Sequence, residues 1–563
     1  MSHPVKCLLV YPEFTMSSFW NFRATCKLFG AKYPTAPLGL ITVAAMLPPE
    51  WEIRLVDCNV ESLHDADLAW ADLVLTGGML AQQRDTLAVI DRAKRSGKTV
   101  VVGGPDATSS PHIYDQADYQ VLGEAEITLP CWLADFNAAE NDLNQPALKQ
   151  APRRYEPGSQ RADMSKAVRP RFDLLRFDRY LYLGVQFARG CPFLCEFCDI
   201  IELFGRVPRL KSATQLLGEL QQLYDLGYRG HLEFVDDNFI GNKRDVKKFL
   251  PRLIAWQQAH GWPFQFGTEA SINLADDDEL LGLMQQAGFC MVFAGIESPD
   301  EETLTHMQKR QNTRRSLADS IRKIYAHGMV VTTGYILGFD TEGPQAAQGV
   351  VDLIEDSATA VNMVGTLFAL PGTQLSRRLA GEGRLHDNFD RVGDSQHGDQ
   401  CSGGLNFTTA RPRRDILRDY RRIIAETYAP AAYFGRIGRM ALLLNCEHKT
   451  LGLPLRRHLH EFRGFLKLAL HQGILAPHRQ VFWATLLKVL RANPQALRYA
   501  VAVMGLYQHF GPFHKYLLGE LDGALAAEEA QAAPAVPLGR CATDSAGTGN
   551  SDDSALAEPV AHA

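Results

Sequence analysis

The sequence predicts an α/β protein that ends in helices: an N-terminal doubly wound parallel sheet, a central partial (β/α)6 barrel and a C-terminal helical extension. Three observations predict it. Short apolar runs alternate with helical stretches over the first 130 residues and again from 181 to 385, the pattern of parallel strands joined by crossover helices. A polar, turn-rich stretch at 151–180 separates the two series and reads as a linker. From about Arg411 the strand signal ends, and apolar residues recur at helical spacing. With 563 residues the chain is too long for one core.

The first domain, 1–150, starts with the buried strand Cys7–Tyr11. Pro37-Leu38-Gly39-Leu40 opens a helix through Met46. Further strands read at Trp51–Val56, Asp72–Gly78, Thr99–Val102 and Tyr119–Leu122, with a helix from Gln82 to Ser96. In an open parallel sheet, ligands bind outside the carboxyl ends of the strands. Thr76-Gly77-Gly78, Gly103-Gly104-Pro105 and Gly123-Glu124-Ala125-Glu126 all fall there. Glycine at such an edge lets backbone approach a bulky flat ligand. Taken singly, each glycine reads equally well as a tight turn. There is no Gly-x-Gly-x-x-Gly, which disfavours a dinucleotide.

The barrel, 181–385, opens with the strand Leu183–Phe187. A helix at Ala213–Leu226 follows, then strands at Leu232–Val235, Phe264–Thr268, Met291–Ile296, Val331–Gly338 and Met363–Leu367. Chemistry in parallel barrels lies at the carboxyl ends of strands. Those ends collect Asp236, Asp237, Asn238, Glu269 and Glu297. A strand-end carboxylate can equally cap the next helix, so the set carries more weight than any member. Lys309 reads as part of a solvated basic turn. No Ser/His/Asp triad, metalloprotease helix or P-loop is present.

After the first barrel strand comes Cys191-Pro192-Phe193-Leu194-Cys195-Glu196-Phe197-Cys198. Three thiolates on one short loop can hold three corners of a cubane iron–sulfur cluster and leave one iron open; sulfur ligands suit such clusters. A zinc site would want a second Cys/His pair, and none follows. A disulfide framework does not fit a long chain without a secretory signal.

The Cys-x3-Cys-x2-Cys spacing resembles the signature of the radical S-adenosylmethionine (SAM) superfamily. The resemblance implies a [4Fe-4S] cluster on Cys191, Cys195 and Cys198 whose open iron chelates SAM and cleaves it to a 5′-deoxyadenosyl radical. It also implies that Phe197 packs near the adenine. The strand-end set, Asp236 included, would then hold SAM, with Asp237 and Asn238 at the ammonium and Glu269 or Glu297 at the ribose. Gly334-x-Ile336-x-Gly338 would let the backbone pass the adenine, and Lys309 and Asn312 would lie near the SAM carboxylate.

The first domain resembles the cobalamin-binding domain that precedes the barrel in one large radical SAM class. Thr76, Gly77, Gly103, Gly104, Pro105, Gly123 and Glu124 would then line cobalamin. The chain lacks Asp-x-His-x-x-Gly, so no histidine is implied below the cobalt. A domain that has lost its cofactor is the alternative. From about residue 5 to 520, the layout resembles the cobalamin-binding radical SAM proteins with the helical extension called DUF4070, the group of the hopanoid C-2 methylases. Cys198-Asp199-Ile200, Gly205-Arg206-x-Pro208-Arg209, Phe234–Asn242 and Ala369-Leu370-Pro371 carry that likeness. It implies methyl transfer by cobalamin to an unactivated carbon of an apolar, lipid- or hopanoid-like substrate. Electrons would come from an external donor of flavodoxin or ferredoxin type. Radical cyclisation or rearrangement without methyl transfer is the second reading, and a non-catalytic iron–sulfur redox protein the third.

The extension, 386–522, is basic and aromatic: 13 Lys or Arg against 5 Asp or Glu lie between 411 and 467, interleaved with Tyr428, Tyr433, Phe434, Phe462 and Phe465. Such helices form a core with a solvated outer face, or they face an apolar substrate or an anionic membrane surface. The tail, 523–563, is rich in Ala, Glu, Pro, Ser and Gly and is expected to be disordered. The net charge of −6 argues against a nucleic-acid binder. No apolar run approaches the ~18 residues of a membrane span, so membrane contact, if any, is peripheral. The absence of a secretory signal, the eleven cysteines and an oxygen-sensitive cluster fit a reducing cytoplasm.

Overall fold

Short continuous apolar runs, whose successive side chains point to opposite faces, build the first sheet. A computed structural model describes residues 4–15, 17–139, 153–391, 400–446 and 455–532. In it β1 (Lys6–Tyr11), β2 (Glu52–Asp57), β3 (Leu73–Gly77), β4 (Thr99–Gly103), β5 (Tyr119–Val121) and β6 (Arg154–Tyr155) are all parallel, in the order β2-β1-β3-β4-β5-β6. Cys7, Leu9, Leu73 and Leu75 point into one core; Leu8, Val10, Val74 and Val100 point into another on the opposite face. Helices cover both faces, as parallel strands require. The strand order turns back between β1 and β3, the switch point where such sheets take their ligands.

The sixth strand comes from the stretch read as linker. Gln120 and Leu122 N–H donate to the carbonyls of Arg153 and Tyr155 at 2.8 and 2.9 Å, and the Tyr155 hydroxyl donates to Asp135 at 2.7 Å.

The second sheet contains β7 (Leu183–Val185), β10 (Gly230–Phe234), β11 (Phe264–Glu269), β12 (Phe289–Glu297), β13 (Val330–Leu337) and β14 (Asn362–Thr366). Each pairs in parallel with the next in this order, which makes an open six-stranded partial barrel. Between β7 and β10, a short antiparallel pair, β8 (Ala188–Arg189) and β9 (Arg209–Leu210), stands outside the sheet and brackets the cysteine loop.

The extension folds onto the barrel edge. Helix Arg413–Thr427 lies against β14, where the Tyr420 hydroxyl donates to Val364 O at 2.9 Å and the Tyr428 hydroxyl accepts from Asn362 N at 3.2 Å. Arg436, on helix Pro430–Leu443, is fully buried and donates to Thr359 O at 2.8 Å and to Glu355. Helices Leu455–Leu470, Arg479–Ala492 and Leu497–Ala532 follow. The last continues past Asp522, where disorder was expected. Arg418 pairs there with Glu529 at 2.9 Å. The rest of the expected tail, 533–563, lies outside the described residues. A single apolar core joins barrel, extension and the N-terminal stretch from Phe14 to Ala36. Among the described residues, no helix is long and apolar enough to cross a membrane.

Candidate active site

The cysteine loop leaves β8 through Gly190 and returns through β9. Gly190 has φ of 94°, and a Cβ there would lie 2.8 Å from Gly205 O, so only glycine fits this turn. Two neighbouring aspartates fix the entry. Asp236 accepts from the N–H groups of Phe187 and Ala188 at 2.7 and 2.9 Å, and Asp237 accepts from Gly190 N at 2.8 Å. Burial pushes these carboxyls up to about 8 and about 6 against the pull of those bonds. Asp236, with both oxygens on backbone amides, positions the loop, where the sequence suggested contact with SAM; Asp237 is partly exposed and has one oxygen on Gly190. Asn238 stays nearer the chemistry. Its amide donates to Ser271 Oγ at 3.1 Å and approaches Cys191 Sγ at 3.8 Å.

The three thiols lie close enough to feel one another's charge. Burial raises Cys191 and Cys198, so a bound metal must displace tightly held protons. Gln311 Nε2 points at Cys195 Sγ at 3.5 Å. Amide donors aimed at sulfur suit iron–sulfur thiolates and tune their potential. Among the described residues, no group of three or more His, Cys, Asp or Glu gathers to hold a metal ion.

Lys309 corrects the sequence reading. It is buried and ion-paired to Glu297, not solvated. Burial lowers its pKa, but Glu297 and the nearby sulfurs of Cys195 and Cys198 outweigh that and raise it. Its ammonium lies 5.7 Å from the centroid of the Phe197 ring, which meets Phe339 edge-on at 6.0 Å. The pair lies over Gly295, where a Cβ would lie 2.4 Å from Glu297 Oε1 and 2.8 Å from Lys309 Nζ. Asn312 is occupied with the carbonyls of Gly295 and Ile296, both at 3.0 Å. Gly334 gives room to Phe293 Cζ, 3.0 Å from its would-be Cβ. Gly338, with φ of 105°, is closed off by Leu405 of the extension, so it serves a turn and a packing contact and not the expected passage of an adenine.

Glu269, at the end of β11, keeps an accessible carboxylate deep within the barrel mouth. Burial, with Glu233 and Asp237 beside it, pushes it up to about 8. Inside the barrel, His231 bridges Glu233 at 3.0 Å and Cys290 at 3.9 Å. Burial lowers that imidazole, and the two partners more than compensate, lifting it to about 10. The sequence reading missed this group because its members belong to two different strands.

The glycine edge of the first sheet is bare backbone. A Cβ on Gly77 would lie 2.2 Å from Gly103 O, and one on Gly103 would lie 2.7 Å from Val121 O. Gly104 has φ of 91° and leads into Pro105, the first residue of a short helix. Gly104 and Pro105 are exposed, so the edge is open to a flat ligand. Two of the expected cobalamin contacts have other partners. The Thr76 hydroxyl donates to Val10 O at 2.9 Å. Gly123, with φ of 72°, is packed against Pro157.

Glu124 also faces elsewhere than expected. It accepts from Arg189 and Arg209, the two arginines flanking the cysteine loop, at 3.0 and 2.9 Å. Glu126 holds Arg189 as well, at 2.9 Å. The two sheets are therefore locked together at the cysteine loop, with both strand-end edges adjoining it. Arg209 entered the sequence reading only within Gly205-Arg206-x-Pro208-Arg209, and Arg189 did not enter it.

The chain matches the B12 binding domain over residues 28–131, the Radical SAM superfamily over 185–354 and the domain of unknown function DUF4070 over 373–521. An uncharacterized methyltransferase of Synechocystis sp. is 40% identical over 523 residues, 92% of this chain and 94% of that protein. The chain belongs to the cobalamin-binding radical SAM proteins with a DUF4070 extension. The hopanoid C-2 methylase of Rhodopseudomonas palustris is 35% identical over 77% of this chain and 78% of its own length. Among solved structures, the cobalamin-dependent SAM radical enzyme OxsB shares the fold with a TM-score of 0.56 at 15% identity, over 94% of this chain and 84% of its own. The protein is thus a radical SAM enzyme of the cobalamin-dependent methyltransferase group, with a [4Fe-4S] cluster, SAM and cobalamin as cofactors.

Proposed function

We propose that the enzyme methylates an unactivated carbon of an apolar, lipid-like substrate, of which a hopanoid is the leading candidate. When bound, the cluster and SAM supply the 5′-deoxyadenosyl radical and cobalamin supplies the methyl group. The observation that carries the reading is the clamp of Glu124 and Glu126 on Arg189 and Arg209. It holds the glycine edge of the first sheet against the cysteine loop, so a substrate carbon can be reached from both sides; fixing reactants in this way removes much of the entropic barrier. Cys191, Cys195 and Cys198 would hold the cluster, with Lys309 balancing their charge and Phe197 walling the pocket. Asp237, Asn238 and Glu269 would orient SAM, with Glu297 held by Lys309 beside them.

The apolar character of the substrate rests on an aromatic pair. Phe293, inside the barrel mouth, meets the half-exposed Trp20 edge-on at 5.6 Å. Trp20 is backed at 5.1 Å by Phe19, which is buried in the core against Phe510 of the extension at 4.9 Å. Such a pair attracts a ligand by burial of apolar surface and offers it few hydrogen bonds. The relative from Rhodopseudomonas palustris carries a hopanoid in its name.

The test is product analysis with reconstituted enzyme, cobalamin, SAM, a reduced flavodoxin or ferredoxin and a hopanoid. Methylated hopanoid together with S-adenosylhomocysteine and 5′-deoxyadenosine is the expected result. 5′-Deoxyadenosine without S-adenosylhomocysteine would replace methyl transfer by a cyclase or rearrangement reaction. Turnover of small polar substrates alone would defeat the lipid reading.

A further inference from the structure

Two consecutive helices of the extension turn apolar faces to solvent. On Leu455–Leu470, Leu459, Phe462, Leu466 and Leu470 recur at steps of three or four residues, and each is about half exposed. They share one face of the helix. The opposite face is the buried one: Leu468 is fully covered, and Gly464 packs on Phe29. The connection to the next helix exposes Ile474 and Leu475 at 59% and 66%. On Arg479–Ala492, Trp483, Leu487 and Leu490 repeat the pattern, while Phe482 and Val489 face inward. The Trp483 indole donates to Gly473 O at 2.8 Å, which joins the two stripes at the turn. A soluble monomer seldom carries so extended an apolar surface without a use for it.

The charge around the stripes selects the occupant. Residues 455–492 contain seven Lys or Arg and one acidic residue, in a chain whose net charge is −6. The acidic one, Glu461, is paired with Arg498 at 2.9 Å. Arg463 and Lys467 flank the first stripe, and Arg479 and Arg491 stand at the two ends of the second helix; all four are exposed. Leu, Phe and Trp on one face with Lys and Arg at its margins is the composition of a helix lying in a membrane interface. A protein partner would need acidic groups matched to each cation; anionic lipid headgroups meet them in any arrangement.

We propose that this helical hairpin docks the enzyme on the surface of an anionic lipid bilayer, its apolar stripes inserted between the headgroups and its lysines and arginines on the phosphates. The docking surface does not depend on the reading of the reaction, since it needs neither substrate nor cofactor. Its position has a consequence for that reading. Helix Leu455–Leu470 sits on Phe29 and Gly30, directly after the N-terminal helix Arg23–Leu28. Trp20, just ahead of that helix, is exposed and meets Phe293 of the barrel. A lipid leaving the bilayer at the hairpin would meet Trp20 on its way to the barrel.

The test is co-sedimentation of the full-length protein with phosphatidylcholine vesicles and with vesicles of phosphatidylcholine and phosphatidylglycerol. Binding to the mixed vesicles is expected to be strong, and to weaken with salt and on removal of phosphatidylglycerol. Leu466→Glu with Leu487→Glu should reduce binding by roughly a hundredfold or more, since each substitution replaces an inserted apolar side chain with a charge that the anionic surface repels. The rate of 5′-deoxyadenosine formation from SAM should be unchanged. If the double variant does not fold, the single Leu466→Gln should give a smaller loss in the same direction. Wild-type protein that stays in the supernatant with mixed vesicles overturns the proposal. So does a wild-type dimer in sedimentation velocity that the substitutions convert to monomer, which would make the face a contact between copies of the chain.

Discussion

Individual side chains separate the groups that hold cofactor from those that hold backbone. Cys191, Cys195 and Cys198 share one loop, whereas Cys290 is tied to His231 within the barrel. Alanine at any of the three loop positions should abolish the cluster and SAM cleavage. Cys290→Ala should retain full iron and sulfide content after anaerobic reconstitution, and iron loss in that variant would contradict the assignment. Glu269 offers a pH test. Its ordinary value of 4.5 is raised to about 8 in the fold. The folded state thus favours the protonated acid. The associated stability is fully present below about 4.5 and is lost as pH rises through about 8. Glu269→Gln should therefore flatten the fall in melting temperature across that window in SAM-free protein, and parallel wild-type and variant curves would refute it.

Among the elements, the joint between the sheets at the cysteine loop rests on a few ion pairs. Removing Glu124 leaves Arg209 without its carboxylate and Arg189 with only Glu126, at a site nearly closed to water. Glu124→Ala should cost about 3 kcal/mol in chemical denaturation and should loosen the cysteine loop enough to lower iron retention. An unchanged midpoint with unchanged iron would show the clamp to be incidental. This joint also marks how far the sequence could be read. The parallel strands were legible because each is a short apolar run, and the cysteine loop because its spacing is rare. Glu124 was legible as a strand-end residue, but not as a partner of Arg189 and Arg209, since contacts between distant segments leave no local pattern. The strand Arg154–Tyr155 was missed for a similar reason: two residues of a polar stretch have no periodicity. The helix beyond Asp522 was missed because low hydrophobicity reads as disorder. Ala and Glu are nonetheless strong helix formers, and the ion pairs of Arg421 with Asp522 and Arg418 with Glu529 dock the helix.

Over the whole molecule, the extension belongs to the barrel and is not an appendage. A chain ending near Gly381 would keep the cysteine loop and the polar strand ends, but the structure argues that it would not fold. Leu405 fills the space beside Gly338, Tyr420 and Tyr428 bond to the backbone of β14, and the buried Arg436 reaches Thr359 and Glu355. The same apolar core continues into Phe510 and back to Phe19 and Phe22. Truncation at Gly381 would expose β14 and one flank of the barrel, removing burial worth about 1.5–3 kcal/mol for each large side chain. A loss repeated over several side chains exceeds the ~5–15 kcal/mol that stabilises a typical domain. The truncated protein should therefore be insoluble or lack a cooperative unfolding transition. Limited proteolysis of the full chain should yield no lasting fragment that ends near Gly381. A soluble, cooperatively folded fragment that still forms 5′-deoxyadenosine would show that the barrel stands alone and that the extension serves only substrate and surface.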